Sequence, residues 1–394
     1  MQLSRRAAGL AESATMRVSR KAQELRAAGR EIIDWSAGQP DFPSPQVAVD
    51  AASQALVEGF TRYTAAAGTP DLRQALADHY ARLHGAAWAA ENVIVTVGAK
   101  AALFELILAL VDEGDRVVIP SPCWVSFPEQ VRFAGGEPIL VPLSPADGFS
   151  IRADAVLEAI DDRTRMVLIN SPSNPTGGIV EADELRRIVE HCAARGIMVL
   201  SDETYERFLF DGREHASAGN LAAEFPETLI YVCSFSKTYA MTGWRIGYAI
   251  ASAELIKKVG NVQSHATSNP TSFAMRGALA ALTGAEDDVQ QMIAAFESRR
   301  DFLVKGLERL PGVTCTKPPG AFYAFPNVAS CFRPGCSDSL ELAEHLLEAA
   351  GVAVVPGIAF GAGDHIRISF ACSETELEKG LERVEAALRS PAAV

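Results

Sequence analysis

Seven short, continuously apolar runs, separated by stretches long enough for helices, constrain this chain more than any other feature. They are Val93-Ile94-Val95-Thr96-Val97, Arg116-Val117-Val118-Ile119, Pro138-Ile139-Leu140-Val141, Met166-Val167-Leu168-Ile169, Ile197-Met198-Val199-Leu200, Leu229-Ile230-Tyr231-Val232 and Arg245-Ile246-Gly247-Tyr248-Ala249-Ile250. A strand that is apolar on both faces must be covered on both faces. Such runs between amphipathic helices therefore imply a mostly parallel sheet with helices on each side. The expected fold is α/β: a mostly parallel seven-stranded sheet forming a large unit, plus a smaller α+β unit from the N- and C-terminal segments.

Residues 1–45 differ in character from this pattern, with a basic helical start and then Trp35-Ser36-Ala37-Gly38-Gln39-Pro40-Asp41-Phe42-Pro43-Ser44-Pro45. The Pro and Gly density marks a loop crossing between units. Residues 46–284 hold the sheet, and 285–394 change pattern. They begin with a charged helix through Gln290 to Leu310 and strand-like Ala321-Phe322-Tyr323-Ala324-Phe325. Val352-Ala353-Val354-Val355 and His365-Ile366-Arg367-Ile368-Ser369-Phe370 follow, then a helix from Glu374 to Leu388.

Composition excludes several classes. With 36 Lys+Arg against 49 Asp+Glu the net charge is −13, and no basic cluster suits a nucleic acid. The seven cysteines are odd in number, scattered and without a C-x-x-C pair. Neither a disulfide framework nor a metal site is expected, and a reducing cytoplasm fits. Met1 to Glu12 carries Arg5-Arg6 but no signal-peptide apolar core, and no stretch of membrane-spanning length follows.

Four apolar runs end in polar loops: Val97 into Gly98-Ala99-Lys100, Ile169 into Asn170-Ser171-Pro172-Ser173-Asn174, Leu200 into Ser201-Asp202-Glu203-Thr204-Tyr205, and Val232 into Cys233-Ser234-Phe235-Ser236-Lys237. In open parallel sheets ligands collect at the carboxyl ends of strands. Ser234, Ser236 and Arg245, the last set between Gly243 and Gly247, offer hydroxyls and a planar guanidinium to a phosphate. Gly98, Ala99 and Lys100 sit at a strand-to-helix turn, where backbone N–H groups and the helix dipole favour the same group. An amine beside a phosphate site suits a Schiff base to a phosphorylated aldehyde, which points to pyridoxal phosphate (PLP) at Lys237.

In this order the motifs resemble the PLP-dependent aminotransferases of fold type I, class I/II, and within them the bacterial aspartate (aspartate/prephenate) branch. The resemblance runs from Ser13-Ala14-Thr15 to Arg367, through Val95-Thr96-Val97-Gly98-Ala99-Lys100, Pro122-Cys123-Trp124-Val125-Ser126 and Ala240-Met241-Thr242-Gly243-Trp244-Arg245. It implies that Lys237 carries PLP and moves the substrate proton, that Asp202 faces the pyridine nitrogen, and that Tyr205 and Asn174 reach the ring's 3′-oxygen. Trp124 would stack on the ring, with Gly98, Ala99, Lys100, Ser234, Ser236 and Arg245 around the phosphate. Tyr63 would reach the phosphate of a neighbouring subunit, which makes a homodimer with active sites at the interface. Residues from Gln263 to Thr271 resemble a further segment that crosses the interface. Arg367 and Gly38 would hold the substrate α-carboxylate.

Taken singly, each residue has an ordinary reading as well. Asp202 suits a helix N-cap, Tyr205 and Trp124 suit core aromatics, Asn174 suits a turn, Lys100 suits a helix start, and Arg367 suits a surface ion pair. The resemblance also makes Lys100 the residue that engages a distal substrate carboxylate, with Thr15 assisting. Aspartate with 2-oxoglutarate is the expected pair, exchanging the amino group by a ping-pong mechanism. Members that accept prephenate carry a lysine just before Ser-Ala-Thr. Here Leu10-Ala11-Glu12 has none, which counts against prephenate. Alternatives are an aminotransferase for aromatic or neutral amino acids and a PLP enzyme such as a cysteine-conjugate β-lyase. A PLP-binding regulator is disfavoured because no helix-turn-helix pattern precedes the sheet. A nicotinamide dehydrogenase is disfavoured because no G-x-G-x-x-G follows the first strand.

Overall fold

The computed structural model describes residue 4 and residues 14–333 and 335–389, without the side chains of residues 14–16 and 19. Ser13 and the side chain of Thr15 thus lie outside the described part. The strands, in chain order, are β1 Ile33–Asp34, β2 Val93–Thr96, β3 Arg116–Ser121, β4 Glu137–Pro142, β5 Thr164–Asn170 and β6 Met198–Asp202. β7 Leu229–Ser234, β8 Gly247–Ile250, β9 Tyr323–Ala324, β10 Val352–Ala353, β11 Val355–Pro356 and β12 Ile366–Ser369 follow.

The seven apolar runs form one seven-stranded sheet in the order β2-β8-β7-β6-β5-β3-β4. Neighbours from β7 to β4 are parallel, while β8 runs antiparallel to both β2 and β7. The burial explains the continuous apolarity. Val118, Val167, Ile169 and Val199 pack into one core, and Val117, Ile119, Leu168, Leu200, Ile230 and Val232 into a core on the opposite face. Each such side chain contributes about 1.5–3 kcal/mol of burial. Alternate residues of a strand point to opposite faces, so neither face tolerates a polar run.

The antiparallel β8 matters for function. A parallel strand needs a long crossover that carries the chain back to the opposite end of the sheet. Residues 235–246 instead turn back directly, so Lys237 and Arg245 stay at the carboxyl end of β7. Arg245 was expected inside the strand. It lies before it, in a left-handed turn with φ 57°, and the strand starts at Gly247. That conformation aims the guanidinium back at Gly98.

β1 pairs in parallel with β10, and β11, β12 and β9 form a small antiparallel sheet. The long helix Glu286–Leu307 and the helix Glu374–Arg389 cover these strands. Trp35 is fully buried among Phe296, Leu303, Phe322 and Phe370. Its indole lies against Gly380, where a Cβ would sit only 2.1 Å from Cζ2. All seven cysteines are free thiols. Among the described residues no helix is long and apolar enough to cross a membrane, and no cluster of metal-ligating side chains occurs.

Candidate active site

The carboxyl ends of β5, β6 and β7, the start of the helix Ala99–Leu110, the crossing loop and β12 enclose a cavity of about 360 Å³. Of the residues singled out from the sequence, Gly38, Ala99, Lys100, Trp124, Asn174 and Asp202 line it. Tyr205, Ser234, Ser236, Lys237, Arg245 and Arg367 line it as well.

One corner is built for an anion. Gly98 precedes the helix with φ 78°, and a Cβ there would lie 2.5 Å from Nη2 of Arg245. A Cβ on Gly247 would lie 2.3 Å from the amide nitrogen of Ala99. Two missing side chains thus let the Arg245 turn close onto the helix N-terminus. The first bond of that helix is made by Ala101 N to Gly98 O, at 3.1 Å. The N–H groups of Ala99 and Lys100 precede it and face outward, as first-turn donors do. Ser234 ends β7, and its Oγ accepts from Ser236 N at 3.3 Å.

A second corner holds the carboxylate and the amine. Asp202 ends β6, buried, and its Oδ1 accepts from Thr204 N at 3.1 Å. Burial pushes its pKa up to about 6, with Glu203 adding and the Thr204 hydrogen bonds and Lys237 opposing. No helix follows Asp202, so it caps none. Nζ of Lys237 donates to Gly38 O. Burial, then the positive fields of Arg367 and Arg245, bring its pKa down to about 7.

The third corner faces the smaller unit. Arg367 on β12 is buried and stacks on Tyr323 (4.5 Å) and Phe360 (5.3 Å). Its Nη1 donates to Asn174 Oδ1 at 3.1 Å and its Nη2 to Ser36 O at 2.7 Å, while Nε is buried without a partner. Among the described residues no carboxylate lies within ion-pair distance of it. Tyr205 OH bonds Tyr323 OH at 2.8 Å. Lys100 lies at the mouth, its Nζ 4.7 Å from the Trp124 ring. Burial and then Arg245 lower its pKa.

Gly98 and Tyr63, both expected at the cofactor phosphate, are not among the residues that line this cavity, and neither is Gln263. Tyr63 is 90% exposed on the surface of its own chain. Gln263, which opens the segment expected at the interface, is buried, its Nε2 donating to Val95 O at 2.9 Å. Tyr323, in a strand-like run, and Asn170, in a polar loop, are given no role by the sequence, yet both line the cavity. Asn170 Nδ2 donates to Asp202 O at 3.0 Å and its Oδ1 accepts from Asn174 N at 2.9 Å, which ties the two loops together. Their signal was weak, since an asparagine ending an apolar run looks like any turn residue.

A buried amine, a buried carboxylate, an anion corner and a buried arginine with no carboxylate at ion-pair distance among the described residues suit a phosphorylated group and a carboxylate. A family model described as aminotransferase class I and II matches residues 30–384. The aspartate aminotransferase of Geobacillus stearothermophilus is 45% identical over 385 residues, covering 98% of both chains. The probable aspartate/prephenate aminotransferase of Aquifex aeolicus is 43% identical, again over 98% of each. The structure of the Thermus thermophilus aspartate aminotransferase with maleate superposes with a TM-score of 0.93 at 42% identity, over 98% of this chain and 100% of that one. The chain belongs to the class I and II aminotransferases.

Proposed function

We propose that this transaminase is PLP-dependent and exchanges the amino group between L-aspartate and 2-oxoglutarate by a ping-pong mechanism. The observation that carries this reading is the pairing, in one cavity, of the low-pKa amine of Lys237 with the buried, acid-free Arg367. The residues present suit PLP. The corner at Gly98, Ala99, Ser234, Ser236 and Arg245 would take the phosphate, and Asp202 would face the ring nitrogen. Tyr205 and Asn174 would reach the ring's 3′-oxygen, and Trp124 would stack on the ring. When bound, the cofactor supplies an electron sink for the substrate's Cα.

The chain's own residues do the remaining work. Arg367 binds the α-carboxylate as a bidentate fork, held in plane by Asn174 and Tyr323. Gly38 brings the crossing loop against it, where a Cβ would lie 3.2 Å from Tyr323 OH. Lys237, whose amine is increasingly uncharged above about pH 7, would take the Cα proton and deliver it to C4′ of the bound cofactor. Asp202 would stay ionised opposite a protonated ring nitrogen, because such a partner opposes the effect of burial.

Titration of the holoenzyme with single amino acids tests the substrate. Aspartate and glutamate should convert the bound cofactor stoichiometrically to its amine form, read by absorbance. Bleaching by an aromatic or neutral amino acid alone would overturn the assignment, and sustained release of pyruvate and ammonia would mark a β-lyase.

Lys100 is assigned to the distal carboxylate. Lys100→Ala should raise KM for aspartate about 10- to 100-fold, the worth of one charged hydrogen bond. Rates with alanine as amino donor should change little.

The pH dependence of cofactor capture follows from Lys237. Its pKa near 7 lies below its ordinary value, so the nucleophilic free amine is lost as pH falls through about 7. Capture of the aldehyde by the apoprotein should slow about tenfold per pH unit below that point and level off above it. Stopped-flow absorbance reads the profile, and a midpoint near 10 would contradict the assigned burial.

We further propose a homodimer with active sites at the interface, and a division into 1–45, 46–284 and 285–394. Exposed Tyr63, together with exposed Val47, Val49, Leu56 and Val57 on and beside the helix Gln46–Val57, supports a partner on that face. Light scattering should give twice 42.0 kDa.

A further inference from the structure

The turn that carries Asp202 and Tyr205 has two further carboxylates on its far side, neither of which faces the cavity. Side chains alternate along an extended strand. Asp202 thus points into the active site, while Ser201 and Glu203 point behind it. Glu203 is fully buried. Its Oε1 accepts from Ser201 Oγ and from Ala218 N, both at 2.8 Å, and its Oε2 lies 2.6 Å from His215 Nε2. His215 sits where the exposed loop 211–214 turns inward. It lines a second, open cavity of about 450 Å³. A buried carboxylate directly next to Asp202 in sequence would oppose ionisation of Asp202 unless something cancels its charge.

We propose that His215 and Glu203 form a positioning pair, in which the imidazolium cancels the Glu203 charge so that Asp202 remains ionised toward the cofactor nitrogen. This rests on the reading of Asp202 given above. Other groups around the pair already have partners. Glu206 accepts from Tyr80 OH at 2.7 Å and from Tyr231 OH, with Cys233 Sγ at 3.6 Å. Tyr80 OH also meets Tyr248 OH, and its ring meets His79 at 4.9 Å. Arg207 is paired with Glu286, Arg213 with Glu181 at 3.6 Å, and His84 Nδ1 with Asn220 at 2.7 Å. On the cavity side, Lys237 faces Asp202. The cation touching Glu203 is therefore His215. Burial alone would lower the His215 pKa, but the Glu203 carboxylate outweighs it and raises it. Burial likewise would raise Glu203, and the His215 charge and hydrogen bond, with further hydrogen bonds from Ser217 and Ala218, outweigh that and lower it. His215 thus keeps its proton to higher pH than an ordinary imidazole and Glu203 its charge to lower pH than an ordinary carboxylate, and the compensation is lost as pH rises through the raised His215 value.

The test compares wild type, His215→Gln, Glu203→Gln and the double variant as full-length holoenzymes. Cofactor retention after dialysis is followed by absorbance between pH 4.5 and 8. In His215→Gln an uncompensated charge stands behind Asp202, and the acid limb of retention should move up by about one pH unit. In Glu203→Gln the limb should stay at or below that of wild type, and the double variant should return to it. An equal loss in all three variants at every pH, or no shift in His215→Gln, would overturn the proposal. A second arm needs no cofactor: the NMR titration of the His215 ring should fall to lower pH in Glu203→Gln. An unchanged titration overturns the pair itself, whereas a wild-type protein without bound cofactor would overturn only the reading of Asp202.

Discussion

Lys237→Ala is expected to lose turnover by about four orders of magnitude, because proton transfer and covalent capture rest on the same amine. Lys100, the other lysine lining the cavity, stands at the mouth against Trp124 and cannot replace it. The variant should still bind the phosphorylated cofactor, since the donors at Ala99, Ser234, Ser236 and Arg245 are untouched. Borohydride reduction followed by mass spectrometry should place the adduct on Lys237 in the wild-type protein and on no lysine in the variant. Retained turnover would remove Lys237 from the mechanism.

The second large effect belongs to Arg367. A buried guanidinium without an acid partner is unfavourable in the free protein, and an incoming carboxylate relieves it. Two charged hydrogen bonds are worth about 3–6 kcal/mol together, so Arg367→Leu should lower kcat/KM for aspartate by about 10²- to 10⁴-fold. Thermal stability without substrate should move far less, since the variant removes a buried charge along with its bonds to Asn174 and Ser36. A melting curve beside the kinetics separates the two roles. A collapse in stability that matches the loss of activity would make Arg367 structural.

The large sheet was readable because a strand buried on both faces leaves a continuous apolar record. The second unit was less so. β9, β10 and β11 are two residues long, and so short a strand leaves no periodicity to read. The left-handed Arg245 escaped notice for a similar reason: Arg245-Ile246-Gly247 looks like the start of a strand, and only the close approach to Gly98 requires the turn. His215 left no signal at all, since it meets Glu203 twelve positions away in an otherwise exposed loop.

By itself the chain determined its fold class and the residue types of its site, because apolar continuity and ordered loop motifs are local properties. The tertiary structure decided which of those residues meet. It set Arg367 beside Asn174 with no carboxylate at ion-pair distance among the described residues, lowered the Lys237 pKa by burying it near Arg367 and Arg245, and put His215 behind Asp202. Burial and electrostatic fields depend on distances across the fold, and no run of neighbouring residues encodes those distances.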